Sequence, residues 1–560
     1  MKALCTARSA CSAVLFFLLV FLVSAHNPVF AQAGDTLLVK SSPPGNLNVV
    51  IQGDTLTNGL RAHPNRVYKL YRDSIYYITA LINVNFPLGI IADTGSHRPP
   101  VIALAILPDN SDAHCFLKIF SNTRRLTLKN LYITGVRPDQ KAIGYSDCLN
   151  YNSDSTNSII TNCVFEQYGS AISDNAGNYN KFTITDCKFR NIMDYGAWFE
   201  GNAFFGNSST PTDSVVMVNN TMFCNNAYAN CNVDYNVFTR FEHNTVFLNC
   251  VNPLNDFVMT NAVYKNNIFY GTLAEAQLHS EIPQLYFENS NSPSSTFSFD
   301  SLNTSLSQTE FTTLGLSEAK RQVTVLNNSV YWPAKLKAFW QSALMDTLIP
   351  PVFLNTRTNQ MFANKTAWPH LVIANNDTTN DPGFPSSVMG QVDSLIKFVT
   401  LTRTGGLGTY LWYYNPNGHL FAPVWPLPEN LAYSNTTMQH EGTDGFALGD
   451  LNWFPTQKAA WLLTGIASTQ PIPQEFSLSP NYPNPFNPAT TIEYNLPKAA
   501  RVQLKVYNVL GQEVATLVDG IVTAGQHSVS FNASNLASGI YLYKIAAGTF
   551  VSTRKMVLVK

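Results

Sequence analysis

Charged side chains are scarce in this chain of 560 residues. Asp, Glu, Lys and Arg make up 13% of it, about half of the usual share of about 25%. The 35 Lys and Arg balance the 36 Asp and Glu, and no segment clusters the basic residues that binding to nucleic-acid phosphates requires. We therefore expect no nucleic-acid partner. The apolar share of 45% is ordinary, so the chain is predicted to fold.

Two further features are missing from the sequence. No Cys-x-x-Cys pair occurs, which argues against a zinc site, and we expect neither a metal nor a cofactor. After the N-terminal segment, no apolar run is long enough to span a bilayer, so we do not expect an integral membrane protein. The missing charge is replaced by Asn, Ser, Thr and Gly, a composition that suits an extracellular all-β protein.

The N-terminus has the pattern of a secretory signal peptide. Lys2 and Arg8 give a positive start, and residues 13–23 form an uninterrupted apolar run. Residues 31–33 read Ala-Gln-Ala, the small-x-small pattern of a cleavage site. We predict that residues 1–33 are removed when the chain is exported to the periplasm.

A short phrase recurs six times between residues 125 and 270. In each copy an Asn or Asp stands three residues before an Ile or Phe. These polar positions are Asn130, Asn162, Asp186, Asn220, Asn244 and Asn266. Short β-type runs at irregular intervals above 20 residues indicate a parallel β-helix with loops of variable length. We predict that the six polar residues form a structural ladder along the stack.

Stacking explains the composition of the repeat. Asn and Asp tolerate left-handed backbone angles, so they can turn the chain between strands. Coils lie about 4.8 Å apart, and a charged column would place like charges together, whereas Asn side chains can hydrogen-bond along the stack. Alternation places the Ile or Phe inside. It also places Cys163 and Cys187 in one inward column, where either stacked thiols or a disulfide can be accommodated.

With these repeats, residues 45–275 resemble the right-handed parallel β-helix proteins of the pectate-lyase-like group. The resemblance implies a fold rather than an activity. We accordingly predict a parallel β-helix over residues 34–280. Residues 281–470 are rich in aromatic side chains and are interpreted as late coils or a cap.

The C-terminal part has a different pattern. A Pro-rich linker at 471–480 leads to short alternating strands divided by Gly and Pro turns, which predict a small antiparallel Ig-like β-sandwich at 481–560. The fold class expected for the whole chain is therefore all-β, a right-handed parallel β-helix followed by this sandwich. The sandwich segment contains the phrases Pro-Asn-Pro-Phe-Asn-Pro, Val-Tyr-Asn-Val-Leu-Gly-Gln-Glu and Ser-Gly-Ile-Tyr, in that order, and ends on a Lys-Met strand.

In these phrases the segment resembles the type A sorting domain of the Bacteroidetes-type type IX secretion system. The residues that carry the resemblance are Pro485, Phe486, Gly511, Gly539, Tyr541 and Lys555. The resemblance implies the type IX secretion machinery as partner. It also implies delivery to the outer cell surface or the medium of a Gram-negative bacterium.

Two hypotheses remain open for the activity of the part of the exported chain that precedes the sorting domain. A polysaccharide lyase or hydrolase would need a base and a group that neutralises a carboxylate. The candidates are Asp174, Lys188, Arg190, Glu200, Arg240 and His243, and their spacing singles out no catalytic set. A glycan-binding, adhesive or structural surface protein would instead use the Asn-rich faces, with Trp412 and Tyr413 as candidates for stacking on sugar rings. We favour the second hypothesis.

Overall fold

The fold is described from a computed structural model. It describes residues 36–41, 46–58, 61–120, 123, 125–141, 147–168, 172–193, 206–207, 210–232, 235–256, 258–278, 293–302, 311, 316–342, 348–406, 412–416, 418, 421, 424–464, 476–481, 483–496, 500–522, 525–548 and 550–559. The predicted signal peptide and the first half of the predicted linker, residues 471–475, lie outside these residues.

The body of the molecule is a parallel β-helix whose three sheets run along the stack. Within the described residues, its largest sheet has eleven parallel strands in sequence order. They are β1 (Thr36–Val39), β2 (Val67–Leu70), β5 (Leu88–Ala92), β8 (Arg125–Lys129), β11 (Asn157–Thr161), β14 (Lys181–Thr185), β17 (Thr212–Val218), β20 (Asn236–Glu242), β23 (Met259–Lys265), β27 (Gln322–Leu326) and β31 (Leu371–Ala374). The last two strands lie beyond residue 280, so the coils continue past the predicted boundary.

The other two sheets of the described β-helix are also wholly parallel. The seven-stranded sheet contains β4 (Ile82–Val84), β7 (Leu117–Phe120), β10 (Leu149–Asn152), β13 (Ser173–Asn175), β16 (Gly206–Asn207), β19 (Asn230–Asn232) and β22 (Leu254–Asp256). The nine-stranded sheet contains β3 (Ile75–Ile78), β6 (Val101–Leu104), β9 (Tyr132–Thr134), β12 (Val164–Glu166), β15 (Lys188–Arg190), β18 (Thr221–Asn225), β21 (Thr245–Asn249), β24 (Ile268–Tyr270) and β28 (Ser329–Tyr331). The apolar residues that alternate along these strands fill the space between the sheets.

Left-handed residues turn most of the described coils from the eleven-stranded to the nine-stranded sheet. Six of them have φ between 51° and 60°: Asn130, Asn162, Asp186, Asn219, His243 and Asn266. The predicted ladder is therefore wrong in one respect, because Asn220 and Asn244 stand one residue after this column. The strand register pairs Lys188 with Thr221, whereas the repeated phrase aligns Lys188 with Met222.

The neighbouring column contains the longer hydrogen-bonded ladder. Each amide nitrogen donates to the amide oxygen of the next coil at 2.8 to 3.2 Å, through Asn220, Asn244, Asn267, Asn328 and Asn376. Cys163 and Cys187 occupy this column in earlier coils, and both are free thiols. In the earlier coils this column contains thiol side chains. In the later coils it contains buried Asn side chains, which satisfy one another's hydrogen-bonding groups.

The shift in register reverses the direction of two aromatic side chains. Phe165 and Phe189 stack inside the β-helix, with ring centroids 5.3 Å apart. Phe223 pairs with Arg190 in the register, so it and Phe247 point outward from the nine-stranded sheet. The expectation that every Ile or Phe of the repeat faces inward is wrong for these two, because period-two alternation turns a one-residue shift into a change of face.

Helices and short strands close the body. The helices are α1 (Asn46–Gly53), α2 (Ala334–Trp340), α3 (Thr356–Ala363), α4 (Ser386–Met389), α5 (Gln391–Arg403) and α6 (Pro455–Leu463), with 3-10 turns at Glu318–Lys320, Met438–His440 and Leu451–Trp453. Two small pairings join β25 (Gln277–Leu278) to β29 (Leu348–Ile349) and β26 (Ser295–Phe297) to β30 (Val352–Leu354). In the part of the chain that the structure describes, no helix has the length and apolar character to cross a membrane.

The C-terminal domain is an antiparallel sandwich with its own core. One sheet contains β32 (Ser477–Leu478), β33 (Ala489–Leu496) and β36 (Gly525–Asn532), and the other contains β34 (Ala500–Asn508), β35 (Glu513–Val522), β37 (Gly539–Ala547) and β38 (Phe550–Leu558). The predicted fold class is confirmed for both parts of the chain.

Candidate functional site

A covering segment, made of the described residues between 381 and 463, lies over the outer face of the nine-stranded sheet. Phe384 packs edge-on against Phe247 and Tyr270, with ring centroids 5.1 Å apart in each pair. Tyr414 packs in the same way against Phe223, also at 5.1 Å. Outward aromatic rings that would otherwise meet water are thus buried, and edge-to-face contacts add to the hydrophobic gain.

The covering segment also buries a network of charges. Arg190 Nη1 lies 2.9 Å from Glu166 Oε1, and Nη2 lies 3.1 Å from Glu429 Oε2 of the covering segment. Asn191 Nδ2 donates to Glu166 Oε1 at 2.7 Å, and Lys188 Nζ lies 3.9 Å from Glu429 Oε1. Burial raises the pKa of Glu166 despite the neighbouring guanidinium. Two carboxylates and two cations balance formally, as buried charges must.

A further buried carboxylate, Asp450, anchors the covering segment to the start of β18. Asp450 Oδ2 accepts a 2.6 Å hydrogen bond from the Thr221 hydroxyl, and Oδ1 accepts from the backbone and side-chain nitrogens of Asn452 at 2.9 and 2.7 Å. Burial raises the pKa of Asp450 to about 6. This carboxyl group therefore titrates close to neutral pH.

His243 takes part in a third contact with the covering segment. Its Nε2 lies 2.8 Å from Asp444 Oδ2, which also accepts from Trp461 Nε1 at 3.0 Å. Gly449, with φ of 75°, approaches so closely that a Cβ there would collide with the Thr245 hydroxyl oxygen. The segment can reach the sheet here only because this residue has no side chain.

Glu242, His243 and Asp444 offer three possible metal-ligand atoms within 4.8 Å of one another. Glu242, however, already contacts two cations, Arg240 Nη2 at 2.6 Å and Lys265 Nζ at 3.0 Å. A metal ion would have to compete with both for that carboxylate. The donor set fits a charge-balanced protein network better than a metal centre.

The structure brings Lys188, Arg190 and His243 under the covering segment. Arg240 lies in β20 of the eleven-stranded sheet. The side chains of Arg190 and His243 are 2% and 0% exposed, and Lys188 lies with its Nζ 4.3 Å from the ring centre of Trp453. Asp174 belongs to the seven-stranded sheet. Glu200 lies outside the described residues.

The structure gives the two aromatic candidates for stacking on sugars different environments. Trp412 is 1% exposed, packs against Phe398 and donates its Nε1 proton to Gln391 Oε1 at 3.0 Å. Tyr413 is half-buried against the same core. Burial removes Trp412 from any surface that a glycan can reach, because its side chain completes the packing of α5.

A different set of polar residues lies on the outer face of the seven-stranded sheet. We call Lys118, Phe120, Asn150, Asn152 and Asp174 the polar stripe. Adjacent coils pair Lys118 with Asn150 and Asn150 with Asp174, while Phe120 pairs with Asn152. Asn152 is exposed and the other four are half-buried.

The polar side chains of the stripe are held by one another. Asn150 Nδ2 donates to Asp174 Oδ2 at 3.1 Å and to Asp147 Oδ2 at 3.3 Å, and Asn150 Oδ1 accepts from Asn152 Nδ2 at 2.6 Å. Burial and the neighbouring Asp147 raise the pKa of Asp174. Such mutual contacts restrict the rotamers before any ligand arrives, which lowers the entropic cost of binding.

Sequence reasoning misses the stripe apart from Asp174, although a signal exists. Leu117, Ile119, Leu149 and Tyr151 are the buried residues of two short alternating strands, and the residues between them are Lys118 and Asn150. Recognising these runs as a third strand of each coil would locate the stripe.

Several motif residues of the C-terminal domain stabilise its fold through burial, hydrogen bonds or turn geometry. Phe486 is buried and bonds through its backbone to the end of the chain, donating to Val557 O at 2.9 Å and accepting from Val559 N at 3.0 Å. The Tyr541 hydroxyl donates to Ala537 O at 2.8 Å. Gly511 is the left-handed residue of the β34–β35 hairpin, while Pro485 and Lys555 are exposed and Gly539 begins β37.

Fold and motifs together define a parallel β-helix body joined to a sandwich of the kind that directs secretion. Residues 481–560 match the family described as "Secretion system C-terminal sorting domain", and this segment is a type IX sorting domain. No curated protein matches the chain. The protein is thus secreted or displayed at the cell surface, and its sorting domain implies interaction with the type IX secretion machinery.

Proposed function

We propose that the exported body is a glycan-binding surface protein and that the polar stripe is its binding surface. The observation that carries the proposal is that Lys118, Asn150 and Asp174 place a polar side chain at the same register position on three adjacent coils. Coils follow each other at about 4.8 Å, a distance comparable to the length of one sugar unit. A polysaccharide laid along the stack would meet one polar side chain of the stripe at each of three successive units.

The chemistry of the stripe suits sugar hydroxyl groups. Asn150, Asn152 and Asp174 offer both donors and acceptors, and Phe120 offers an apolar ring for a sugar face, with Lys118 Nζ 5.8 Å from its centre. Lys118 would also favour a glycan that bears carboxylates. Few polar groups fixed in place beside an aromatic ring are typical of small-molecule and saccharide sites.

The burial of the covered face supports binding over catalysis. A general base must reach a substrate proton within hydrogen-bond distance, and Arg190 and His243 instead contact the covering segment. A polysaccharide could reach them only if this segment moved away together with its buried aromatic rings.

Polysaccharide hydrolysis or elimination is a second candidate, favoured by one observation. Asp147 and Asp174 flank Asn150, and the pKa of Asp174 is raised. A carboxyl group that stays protonated longer is suited to act as a general acid on a leaving-group oxygen. Release of shortened or unsaturated products would identify this chemistry.

The route that we propose for export has two steps. Residues 1–33 direct the chain to the periplasm and are removed there, and the sorting domain then directs passage across the outer membrane. Mass spectrometry of the secreted protein tests the first step, because its N-terminus is expected at Gly34.

The binding experiment uses the full exported chain and a panel of neutral and acidic polysaccharides. Retention without product release is expected for at least one glycan. The Asn150→Ala and Asp174→Ala variants should each bind it about tenfold more weakly, since each loses about 1.4 kcal/mol of hydrogen bonding. Products from any glycan would replace the binding proposal with the enzymatic one.

Asn157→Ala is the matched control. Asn157 is half-buried and lies in β11 of the eleven-stranded sheet, paired with Arg125 and Lys181 on adjacent coils. Its loss should leave glycan affinity unchanged. Equal losses for Asn150→Ala and Asn157→Ala would show that the polar stripe is not the binding surface.

A further inference from the structure

The tip of the β34–β35 hairpin in the sorting domain presents two apolar side chains to water. Val509 is 69% exposed and Leu510 is 79% exposed. Turn positions of this kind are ordinarily polar. Exposing two adjacent aliphatic side chains contributes nothing to the domain's own core, so their presence calls for a reason outside that core.

The turn beneath these side chains is closely hydrogen-bonded. Asn508 Oδ1 accepts from the backbone nitrogens of Leu510 and Gln512, both at 3.0 Å, and Asn508 Nδ2 donates to Gln512 Oε1 at 2.9 Å. Backbone bonds add Asn508 N to Gln512 O and Gly511 N to Asn508 O, both at 3.0 Å. Gly511 supplies the left-handed angle, with φ of 77°. The tip is therefore a fixed projection.

We infer that Val509 and Leu510 form an anchor that inserts into an apolar pocket on a protein of the type IX secretion apparatus. The inference rests on the export function of the sorting domain and adds to it the surface that is recognised. A pair of aliphatic side chains on a preorganised turn has the properties of an interface hot spot, since little conformational entropy is lost when it docks.

The charges beside the tip favour a protein pocket over a lipid surface. Lys505 and Glu513 lie just below the turn and pair with each other, with Nζ 2.9 Å from Oε2. Their charges cancel locally. Binding to an anionic membrane draws on a surplus of Lys and Arg around the apolar group, and this pair supplies none.

The test measures secretion of the full chain in a bacterium that has a type IX secretion system. The double variant Val509→Ser, Leu510→Ser should reduce the secreted amount about tenfold or more, as expected when a hot spot is removed. Val551→Ser is the matched control, because Val551 is 57% exposed in β38 of the same domain. Thermal unfolding of the purified variants verifies that each sorting domain is folded.

Deletion of residues 481–560 separates this inference from the proposal beneath it. If the deletion blocks secretion and the double variant is secreted normally, the anchor is overturned and the export function stands. If the deletion has no effect, the export function itself fails. A photo-crosslinker at position 510 should capture a protein of the secretion apparatus, whereas one at position 551 should not. Crosslinks only to lipid, or to nothing, would overturn the anchor.

Discussion

The outer faces of the nine-stranded and seven-stranded sheets arise from the same coils by the same alternation, yet their polar residues differ in burial and in hydrogen-bond partners. Arg190 on the nine-stranded sheet and His243 in the turn that leads into it are buried beneath the covering segment and paired with its carboxylates. On the seven-stranded sheet, Lys118, Asn150 and Asp174 remain half-buried, and the last two contact each other along the stack. An outward position in a β-helix coil thus has no fixed environment, because a distant chain segment decides it.

The largest difference between the two faces should appear when one charge is removed from each. Arg190→Met leaves Glu166 and Glu429 buried without their shared cation, and we expect it to lower the free energy of unfolding by about 3–5 kcal/mol. Lys118→Met on the polar stripe should change it by about 0.5 kcal/mol or less. Urea unfolding of both variants measures the difference. Similar effects would mean that the covered charges are in contact with water.

A smaller loss of stability is expected from adding a Cβ at Gly449, where the covering segment comes very close to Thr245 of the nine-stranded sheet. Gly449→Ala combines a left-handed backbone with a Cβ in contact with Thr245, so it should cost about 3 kcal/mol. Gly445→Ala is the control, because Gly445 has φ of 83° in the same segment but an added Cβ there would meet no atom within 4 Å; it should cost about 1 kcal/mol. Equal losses in urea unfolding would contradict the close approach.

The smallest of the three effects depends on pH. Because burial raises the pKa of Asp450 from 3.8 to about 6, the folded state holds this proton more tightly than the unfolded state does. Its contribution to stability is fully present below pH 3.8 and is lost as pH rises through 6. Between about pH 4 and 7, the stability of the wild type should therefore fall by about 2–3 kcal/mol relative to Asp450→Asn.

Unfolding measured at several pH values tests this expectation. Asp393→Asn is the control, since Asp393 is exposed and pairs with Lys335 on the surface. It should follow the wild-type profile. A constant difference between wild type and Asp450→Asn across this range would show that Asp450 is accessible to water in the folded protein.

The strand alternation and the turn chemistry of the repeat are predictable because they depend on neighbouring residues. The repeated phrase identifies Asn130, Asn162 and Asp186 as turn residues, and the structure finds all three left-handed. It places Asn220 and Asn244 in the wrong column, since it aligns the coils on Phe223 and Phe247. Those two rings face outward, as the strand register and their contacts with Tyr414 and Phe384 show.

The candidate site is less predictable than the fold. Lys188, Arg190 and His243 stand out in the sequence as basic residues near strands, and nothing local indicates that the covering segment buries them. The polar stripe can be predicted only when all three strands of each coil are assigned correctly. Only then do Lys118, Asn150 and Asp174 fall at matching positions on adjacent coils.

By itself, the sequence determined the low charge, the turn positions of Asn130, Asn162, Asp186 and Asn266, the alternating strands and the sorting motif, because each depends on residue types at short spacing. Only the tertiary structure decided which outward residues are buried and which remain available to a ligand. That outcome depends on contacts between residues about 200 or more positions apart, such as Arg190 with Glu429 and His243 with Asp444. Those contacts are favourable because the covering segment packs on the sheet, and no local sequence pattern indicates them.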